Sequence, residues 1–391
     1  MFPSVIVPQN LSAQERGLFY GQAARVQTLH SRNTYARLFA SCGISWAKAC
    51  DKAMAYRDVI EQLDPALVQE MEGTALGSGL ALPDILALNC RTEILPADFL
   101  SDAKHEAEAA LEANRAAGLP DWLDDAPIDP AAAEGECTAM AVAPQASAAG
   151  QTWLAQNWDW LGRQRQALVL LHSRNQAGQS FTTLTEGGML AKIGMNPQGF
   201  ALGLNILRSL GDGLRPGVPV HVLLRHLLAC ASIAAARAEL ARIGQTLGFG
   251  AASNIPCADA QGEVASFEVA PAGWGEVQPT RGVVVHTNHF VCESLLSAQA
   301  PLGLALSSQP RLVTAQQHAA QSDIDQAALE NFLRDETDGH LSICRSPNMA
   351  LPEEGRVESV AGVIMNTTTR QMWIAPDVPK RCAFERVEMP H

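Results

Sequence analysis

The feature that most restricts how this chain can fold is a short strand that begins on a cysteine and is followed, after a turn, by a second strand. The first run, residues 137–142, reads Cys-Thr-Ala-Met-Ala-Val, and the second, residues 152–160, reads Thr-Trp-Leu-Ala-Gln-Asn-Trp-Asp-Trp. Small and turn-forming residues separate the two runs, so the pattern predicts a β-hairpin. Alternation places two sets of side chains on opposite faces: Thr138, Met140 and Val142 on one, and Cys137, Ala139 and Ala141 on the other.

The peptide bond before Cys137 is expected to be open to cleavage. The residues that precede it are polar, rich in Ala, Asp and Glu, and contain several prolines, which is typical of a flexible segment. Cutting between Glu136 and Cys137 would leave a thiol and an α-amine on one residue, and an α-amine titrates near neutral pH and can act as a general base. Asp159, on the second strand, is expected to hold that amine by a charge-assisted hydrogen bond. The alternative, from the residues alone, is a buried structural cysteine that starts a core strand.

The Cys-Thr pair at 137–138 and the run Gln-Asn-Trp-Asp-Trp at 156–160 resemble the cysteine-type N-terminal nucleophile hydrolases of the acyl-coenzyme A:6-aminopenicillanic acid acyltransferase family, which are self-cleaving precursors. Further segments resemble that family in the same order along the chain: residues 21–39, 70–77, 87–93, 199–205, 286–290, 343–345 and 360–366. The resemblance implies an α+β fold, a four-layer αββα sandwich. It also implies a mostly helical chain of residues 1–136 and a catalytic chain of residues 137–391, which together form one domain.

Further site residues are implied by matching positions. Attack by a thiolate on an amide or thioester creates an oxyanion, which needs preorganised donors. The family's oxyanion asparagine matches Asn288, and the backbone N–H of Asn205 is the expected second donor; an asparagine at a strand end is otherwise a common turn former. Arg311 resembles the family's arginine near the nucleophile, the alternative being an exposed arginine that caps a helix. Glu136 departs from the glycine expected before the cut, which bears on the rate of cleavage.

Two other patterns suggest chemistry that the rest of the sequence does not support. Ser45-Trp-Ala-Lys48 matches a penicillin-recognising serine motif, but its usual S-D-N and K-T-G partners are missing, so it is interpreted as a chance match. His286 and His289 have a spacing that would suit metal ligands. A strand end sends such residues to opposite faces, and no carboxylate or cysteine cluster accompanies them, so no metal is expected.

Trp158 and Trp160 are expected to pack in the core.

The coarse pattern predicts helices first and strands later. Residues 12–101 are predicted to be mostly helical, and Asp64-Pro65 opens one of these helices. Gly73, Gly77 and Gly79 lack the spacing of a nucleotide loop and are expected to let two backbones approach. After the hairpin the pattern predicts more strands, one long helix over residues 218–243, a helix pair over 309–334, and final strands at 357–366 and 371–375.

Composition limits the partners. The net charge of −13 argues against nucleic acid or an anionic membrane, so a small-molecule amide is the expected partner. Nine cysteines without paired spacing do not indicate a disulfide framework, so a cytoplasmic, reducing location is expected. No cofactor is expected. Charged residues interrupt the most apolar stretch, residues 218–243, which excludes a membrane span there. A homo-oligomer of processed two-chain units is a further expectation.

The expected function is that of an autoproteolytically activated cysteine amidohydrolase, which acts on a small N-acyl amide or peptide-like substrate through a thioester acyl-enzyme. Coenzyme A carries several phosphates, so its use would call for a basic entrance or a phosphate-cradling loop. The sequence shows neither, which favours hydrolysis. The alternatives are an acyl-coenzyme A-dependent N-acyltransferase, an unprocessed ligand-binding protein on the same fold, and a metallohydrolase that uses the histidines.

Overall fold

The computed structural model describes residues 1–95, 137–300, 307–349 and 356–389. Residues 13–94 form seven helices: α1 (Ala13–Ala23), α2 (Arg25–Ser41), α3 (Trp46–Met54), α4 (Arg57–Leu63), α5 (Pro65–Ser78), α6 (Leu82–Asn89) and α7 (Arg91–Ile94). Asp64 caps α5 by accepting the N–H of Ala66, with Pro65 in the first turn, as the Asp-Pro pair predicts. The predicted helical region is thus confirmed as far as residue 95, and residues 96–101 lie outside the described ranges.

Helices α1 and α5 pack unusually close together because glycines stand where their backbones meet. A Cβ atom on Gly73 would overlap the carbonyl oxygen of Gln14, and one on Gly77 would overlap that of Leu18. The prediction that these two glycines let backbones approach is therefore confirmed. Gly79 serves differently, because it ends α5 in the left-handed conformation, with φ of 76°.

Fifteen strands form two sheets in the described part of the chain. Their bounds are β1 (Ser4–Ile6), β2 (Cys137–Val142), β3 (Trp153–Leu161), β4 (Leu168–Arg174), β5 (Ser180–Glu186), β6 (Ile193–Met195), β7 (Ala201–Leu202), β8 (Asn205–Ile206), β9 (Ser253–Ala258), β10 (Val264–Ala270), β11 (Gly273–Val277), β12 (Val283–His286), β13 (Val357–Asn366), β14 (Gln371–Ala375) and β15 (Glu385–Arg386). The larger sheet has the order β1-β4-β5-β6-β7-β9-β10-β11, with β8 paired to β9. The smaller has the order β12-β2-β3-β13-β14-β15, in which β2 and β3 form the predicted hairpin.

Both faces of the smaller sheet are buried. Cys137 and Trp158 lie on the inner face, in the core that is shared with the larger sheet. Met140 and Trp153 lie on the outer face and pack with Leu329 from the helical layer beyond. The predicted alternation of the hairpin and the predicted burial of its tryptophans are therefore confirmed. With the N-terminal helices beyond the larger sheet, the layers are helix, sheet, sheet and helix, an α+β sandwich of the expected αββα type.

The remaining α-helices in the described ranges are α8 (Val220–Leu227), α9 (Ile233–Thr246), α10 (Ser308–Ala319) and α11 (Gln326–Leu333). The prediction of one long helix over residues 218–243 is wrong. The Nδ2 of Asn196 donates to the carbonyl oxygens of Leu228 (2.9 Å) and Cys230 (2.7 Å), which stabilises a break, and Ser232 then caps α9. A tertiary contact of this kind cannot be detected from the local hydrophobic periodicity of residues 218–243. None of the helices in the described part of the chain is long and apolar enough to cross a membrane.

Candidate active site

Cys137 is buried at the start of β2, and both polar atoms of its backbone are held by side chains. Its nitrogen donates to Oδ1 of Asn288 at 2.8 Å, and its carbonyl oxygen accepts from Nη1 of Arg311 at 2.7 Å. Directly opposite on β3 stands Trp158. The backbone of the predicted nucleophile is therefore fixed from two sides by residues more than 150 positions away along the chain.

Arg311 is fully buried in the first turn of α10 and joins several parts of the site. Besides the Cys137 carbonyl, its Nη1 donates to Oγ1 of Thr138 at 2.7 Å, and its Nη2 donates to Oδ1 of Asn288 at 2.9 Å. Burial lowers the pKa of Arg311 to about 10, although Asp159 and Cys137, in their ionised forms, act in the opposite direction. The alternative of an exposed, helix-capping arginine is therefore wrong.

Asn288 lies in the loop just after β12 and has a fixed orientation. Its Oδ1 accepts from two donors, Cys137 and Arg311, which identifies that atom as the amide oxygen. Its Nδ2 donates to the carbonyl oxygen of Ile206 at 2.9 Å, and its backbone N–H donates to Oγ of Ser308 at 2.8 Å. The asparagine thus lies against the nitrogen of Cys137, a contact that the sequence did not predict.

Asp159 is buried on β3, one residue beyond Trp158. Its Oδ1 accepts from Oγ of Ser359 at 2.6 Å, whereas its Oδ2 has no hydrogen-bond partner among the described residues. Burial raises the pKa of Asp159 to about 7, while Arg311 and the Ser359 hydroxyl lower it. In this structure the Cys137 nitrogen donates to Asn288, so the expected pairing of Asp159 with a free α-amine stays a prediction about the cleaved chain.

The thiol of Cys137 lies in surroundings that disfavour its ionisation. Burial raises the pKa of the Cys137 thiol to about 11, and the negative charge of Asp159 adds to this shift. Lys192, a hydrogen bond with the Asp159 backbone, and Arg311 act in the opposite direction. The thiol is therefore protonated near neutral pH, and any nucleophilic role requires a group that accepts its proton.

Asn205 begins β8, with its side chain bonded to protein on both sides. Its Nδ2 donates to the carbonyl oxygen of His286 at 3.0 Å, and its Oδ1 accepts from Nε2 of Gln156 at 2.9 Å. Gln156 also accepts the backbone N–H of Leu204 at 3.0 Å through its own carbonyl oxygen. Because its side chain has these partners, the expected contribution of Asn205 as a donor rests on its backbone N–H.

The two histidines of the H-x-x-H pattern have different partners. Nε2 of His286 lies 2.8 Å from Oε1 of Glu268, and both side chains are fully buried. Nδ1 of His289 lies 2.7 Å from Oγ of Ser308, and burial lowers the pKa of His289 to about 4. Glu268 also accepts the backbone N–H of Val291, so this pair helps to fix the loop that carries Asn288.

Two residues that contact members of the site were missed by sequence reasoning. Ser359 holds Asp159 from β13, and Lys192 reaches the inner face of the smaller sheet, where its Nζ lies 3.6 Å from the centre of the Trp158 ring. A lysine inside the apolar run of residues 191–195 was a usable signal, because a lysine is rarely buried without a specific partner. Glu136, the residue before the expected cut, lies outside the described ranges.

Comparison with known proteins identifies the family. Residues 147–380 match the family model of acyl-coenzyme A:6-aminopenicillanic acid acyl-transferase, a range that includes Asp159, Asn205, Asn288 and Arg311 and begins after Cys137. The 40 kDa form of acyl-coenzyme A:6-aminopenicillanic-acid-acyltransferase from Emericella nidulans is 28% identical over 293 residues, which cover 74% of this chain and 69% of that protein.

Solved structures with a similar course of the chain include penicillin V acylase from Agrobacterium tumefaciens, with 14% identity, a TM-score of 0.39, and coverage of 61% of this chain and 83% of that one. A variant of conjugated bile acid hydrolase from Clostridium perfringens is 11% identical, with a TM-score of 0.42 and coverage of 65% of this chain and 97% of that one. The family match spans more than half of the chain. The protein therefore belongs to the acyl-coenzyme A:6-aminopenicillanic acid acyl-transferase family.

Proposed function

We propose that this enzyme cleaves itself between Glu136 and Cys137 and then hydrolyses a small N-acyl amide or peptide-like substrate through a thioester at Cys137. The observation that carries the proposal is the placement of Asn288 and Arg311 on the two polar backbone atoms of Cys137, at 2.8 and 2.7 Å. Any buried backbone N–H or C=O needs a hydrogen-bond partner, but at Cys137 the two partners are side chains that are also bonded to each other. This arrangement fixes the nitrogen of Cys137, as a nucleophile whose own nitrogen takes part in the reaction requires, because small displacements of reacting groups lower rates strongly.

In the self-cleavage step, the sulfur of Cys137 attacks the carbonyl carbon of Glu136. The thiol loses its proton, the C–N bond breaks, the nitrogen of Cys137 takes up a proton in exchange, and a thioester forms. Water then hydrolyses the thioester, which releases the carboxylate of Glu136 and restores the thiol. Cys137 now has a free α-amine, the general base for the later amide reaction, and Asp159 offers a carboxylate to hold it.

In the amide reaction, the α-amine takes the thiol proton while the sulfur attacks the substrate carbonyl. Asn288 and the backbone N–H of Asn205 are the proposed donors to the resulting oxyanion, and Arg311 keeps Asn288 in place. The leaving amine takes the proton back from the α-amine, and water then releases the acid from the acyl-enzyme. Each protein group therefore returns to its starting state.

Hydrolysis is proposed over acyl transfer because the chain is acidic, with a net charge of −13, and coenzyme A is polyanionic. The family match favours the second candidate, an acyl-coenzyme A-dependent N-acyltransferase, because the matching relative has that name. Both reactions use the same thioester. They differ in the acyl donor and in whether water or an amine accepts the acyl group.

Intact-mass measurement of the purified protein tests the first half of the proposal. We expect two chains, residues 1–136 and 137–391, from the wild type and one uncut chain from Cys137→Ala. An active wild-type protein that stays as a single chain would contradict self-cleavage. A protein that is both uncut and inactive toward every substrate would support the ligand-binding alternative.

The reaction type is tested on the cut enzyme with N-acyl amides, N-acyl amino acids and small peptides, in parallel with acyl-coenzyme A and candidate amines. We expect hydrolysis of at least one amide, with mass labelling of Cys137 by the acyl group. Faster aminolysis of the thioester donor than hydrolysis of any amide would replace the hydrolase proposal with the acyltransferase alternative.

A further inference from the structure

Self-cleavage poses a problem that the proposed amide reaction does not. In the cut enzyme the α-amine of Cys137 is the base, but in the uncut chain that nitrogen is part of a peptide bond and cannot accept a proton. The thiol nevertheless has to lose its proton, and burial raises its pKa to about 11. Another group near the sulfur is therefore needed in the uncut chain.

The geometry of the hairpin shows which side of the smaller sheet that group lies on. Cys137 and Trp158 are directly opposite each other in an antiparallel pair, so their side chains share a face, with Cβ atoms about 5 Å apart. Nζ of Lys192 lies 3.6 Å from the centre of the Trp158 ring. Nζ of Lys192 therefore lies on the thiol's face of the sheet, and Lys192 and Cys137 act on each other's ionisation.

The other titratable groups that interact with the thiol are less suitable proton acceptors. Asp159 follows Trp158 directly, so its side chain points to the opposite face, where it interacts with Arg311 and accepts from Ser359. Arg311 is a donor at every nitrogen, and three of its hydrogen bonds fix Cys137, Thr138 and Asn288.

The surroundings of Lys192 hold its amine without a short hydrogen bond. Its Nζ is 3.6 Å from Oε1 of Glu186, a distance longer than an N–H···O hydrogen bond. Arg91 lies 3.5 Å from the same carboxylate. His221 is also nearby: burial lowers its pKa well below the usual range, and the positive charges of Arg91 and Lys192 lower it further. Burial and then Arg91 lower the pKa of Lys192 to about 7, while Glu186 and Cys137 oppose that shift. Near neutral pH a large share of the lysine is therefore an uncharged amine.

We infer that Lys192 is the base of self-cleavage: its Nζ takes the thiol proton of Cys137 in the uncut chain. The inference rests on the proposed function. The sulfur bonds to the carbonyl carbon of Glu136, the C–N bond breaks, and the proton held by Lys192 passes to the leaving nitrogen of Cys137. No net proton is gained or lost, and Lys192 is neutral again when the thioester has formed.

The test compares Lys192→Met, which removes the amine, with Lys192→Arg, which keeps a positive charge but has no basic site near neutral pH. Uncut chains from short cell-free synthesis are followed by intact mass at pH values on either side of 7. Wild-type cleavage should speed up as the pH rises through about 7, because the neutral amine accumulates. Both variants should cleave about a hundredfold or more slowly and lose this rise.

Normal cleavage in Lys192→Arg would overturn the inference, because charge alone would then suffice. Normal cleavage in Lys192→Met would also overturn it. The same holds if Asp159→Asn fails to cleave while both Lys192 variants cleave normally. Cooperative melting of each variant shows that it folds, and if Lys192→Met does not fold, Lys192→Arg decides the result. A wild-type chain that never cleaves would instead contradict the proposed function, which separates the two failures.

A second measurement separates a role in cleavage from a general role in folding the site. Ala133→Ile with Glu136→Arg creates a factor Xa recognition sequence that ends just before Cys137. Factor Xa is then used to supply the cut in each variant, and intact mass verifies the cut before turnover is measured. After that cut the α-amine is present, so the factor by which Lys192→Met lowers amide turnover, relative to the same-cut parent, should be much smaller than the factor by which it lowers cleavage. An equal loss of turnover and cleavage would contradict a specific role in cleavage.

Discussion

Nη2 of Arg311 lies 2.9 Å from Oδ1 of Asn288, and that same oxygen accepts the backbone N–H of Cys137 at 2.8 Å. Because Arg311 also holds the carbonyl oxygen of Cys137, one guanidinium fixes both the cysteine and the asparagine. The three residues come from a strand, a loop and a helix. Their mutual placement therefore depends on the whole sandwich rather than on any one segment.

The first prediction concerns Arg311→Lys. A lysine cannot reproduce the planar set of donors, so the buried carbonyl oxygen of Cys137 would lose its side-chain donor, at about 1–3 kcal/mol, and Oδ1 of Asn288 would lose one of its two donors. We expect a lower free energy of unfolding in urea and slower self-cleavage. Arg242→Lys, at a half-exposed site on α9, is the matched control and should change the free energy of unfolding by less than about 0.5 kcal/mol. Equal stability of the two variants would contradict the structural role of Arg311.

The second prediction concerns Asn288→Ala, studied in enzyme that has been cut. If Asn288 donates to the oxyanion, its loss should lower kcat about a hundredfold or more and change KM much less. Steady-state kinetics on an amide substrate measure both constants. The exposed Asn331→Ala on α11 controls for the substitution itself. A normal kcat in Asn288→Ala would remove Asn288 from the proposed oxyanion site.

The third prediction concerns the pH dependence of stability in the uncut Cys137→Ala chain. Folding raises the pKa of Asp159 from an ordinary value of 3.8 to about 7, chiefly by burial. Between these values the folded state binds more protons than the unfolded state, so stability should fall as the pH rises from about 4 to 7. Asp159→Asn should reduce that fall, since an amide does not titrate there. Thermal melts across this range measure the change of stability with pH, and the exposed Asp51→Asn is the control, which should keep the wild-type dependence. If Asp159→Asn also kept the wild-type dependence, the prediction would be contradicted.

The fourth prediction concerns the close contact of α1 and α5. In Gly73→Ala the new Cβ would overlap the carbonyl oxygen of Gln14, which is backbone and cannot rotate away. The two helices must then separate, at a cost of about 1–3 kcal/mol. Leu76→Ala, at an exposed position of the same helix, should stay within about 0.5 kcal/mol of the wild type in urea unfolding. A Gly73→Ala protein as stable as the wild type would contradict the close approach.

Much of the fold was predictable because it depends on local pattern. Alternation in residues 137–142 placed Cys137 and Met140 on opposite faces, and the final strands at 357–366 and 371–375 have the predicted bounds. The break between α8 and α9 was not predictable, because it depends on Asn196, about thirty residues earlier in the chain. The strands β1, β11 and β15 were also missed, since short strands at the edge of a sheet have little periodicity.

The sequence by itself determined the hairpin, the cysteine at its start, the layered α+β class and the family resemblance, because alternation and residue type follow from neighbouring positions. Only the tertiary structure placed Asn288 against the nitrogen of Cys137, buried Arg311 beneath both, and brought Lys192 to the thiol's face of the sheet. These contacts join residues far apart in the chain. Their distances, and the pKa shifts that burial causes, arise when the two sheets pack together and exclude water.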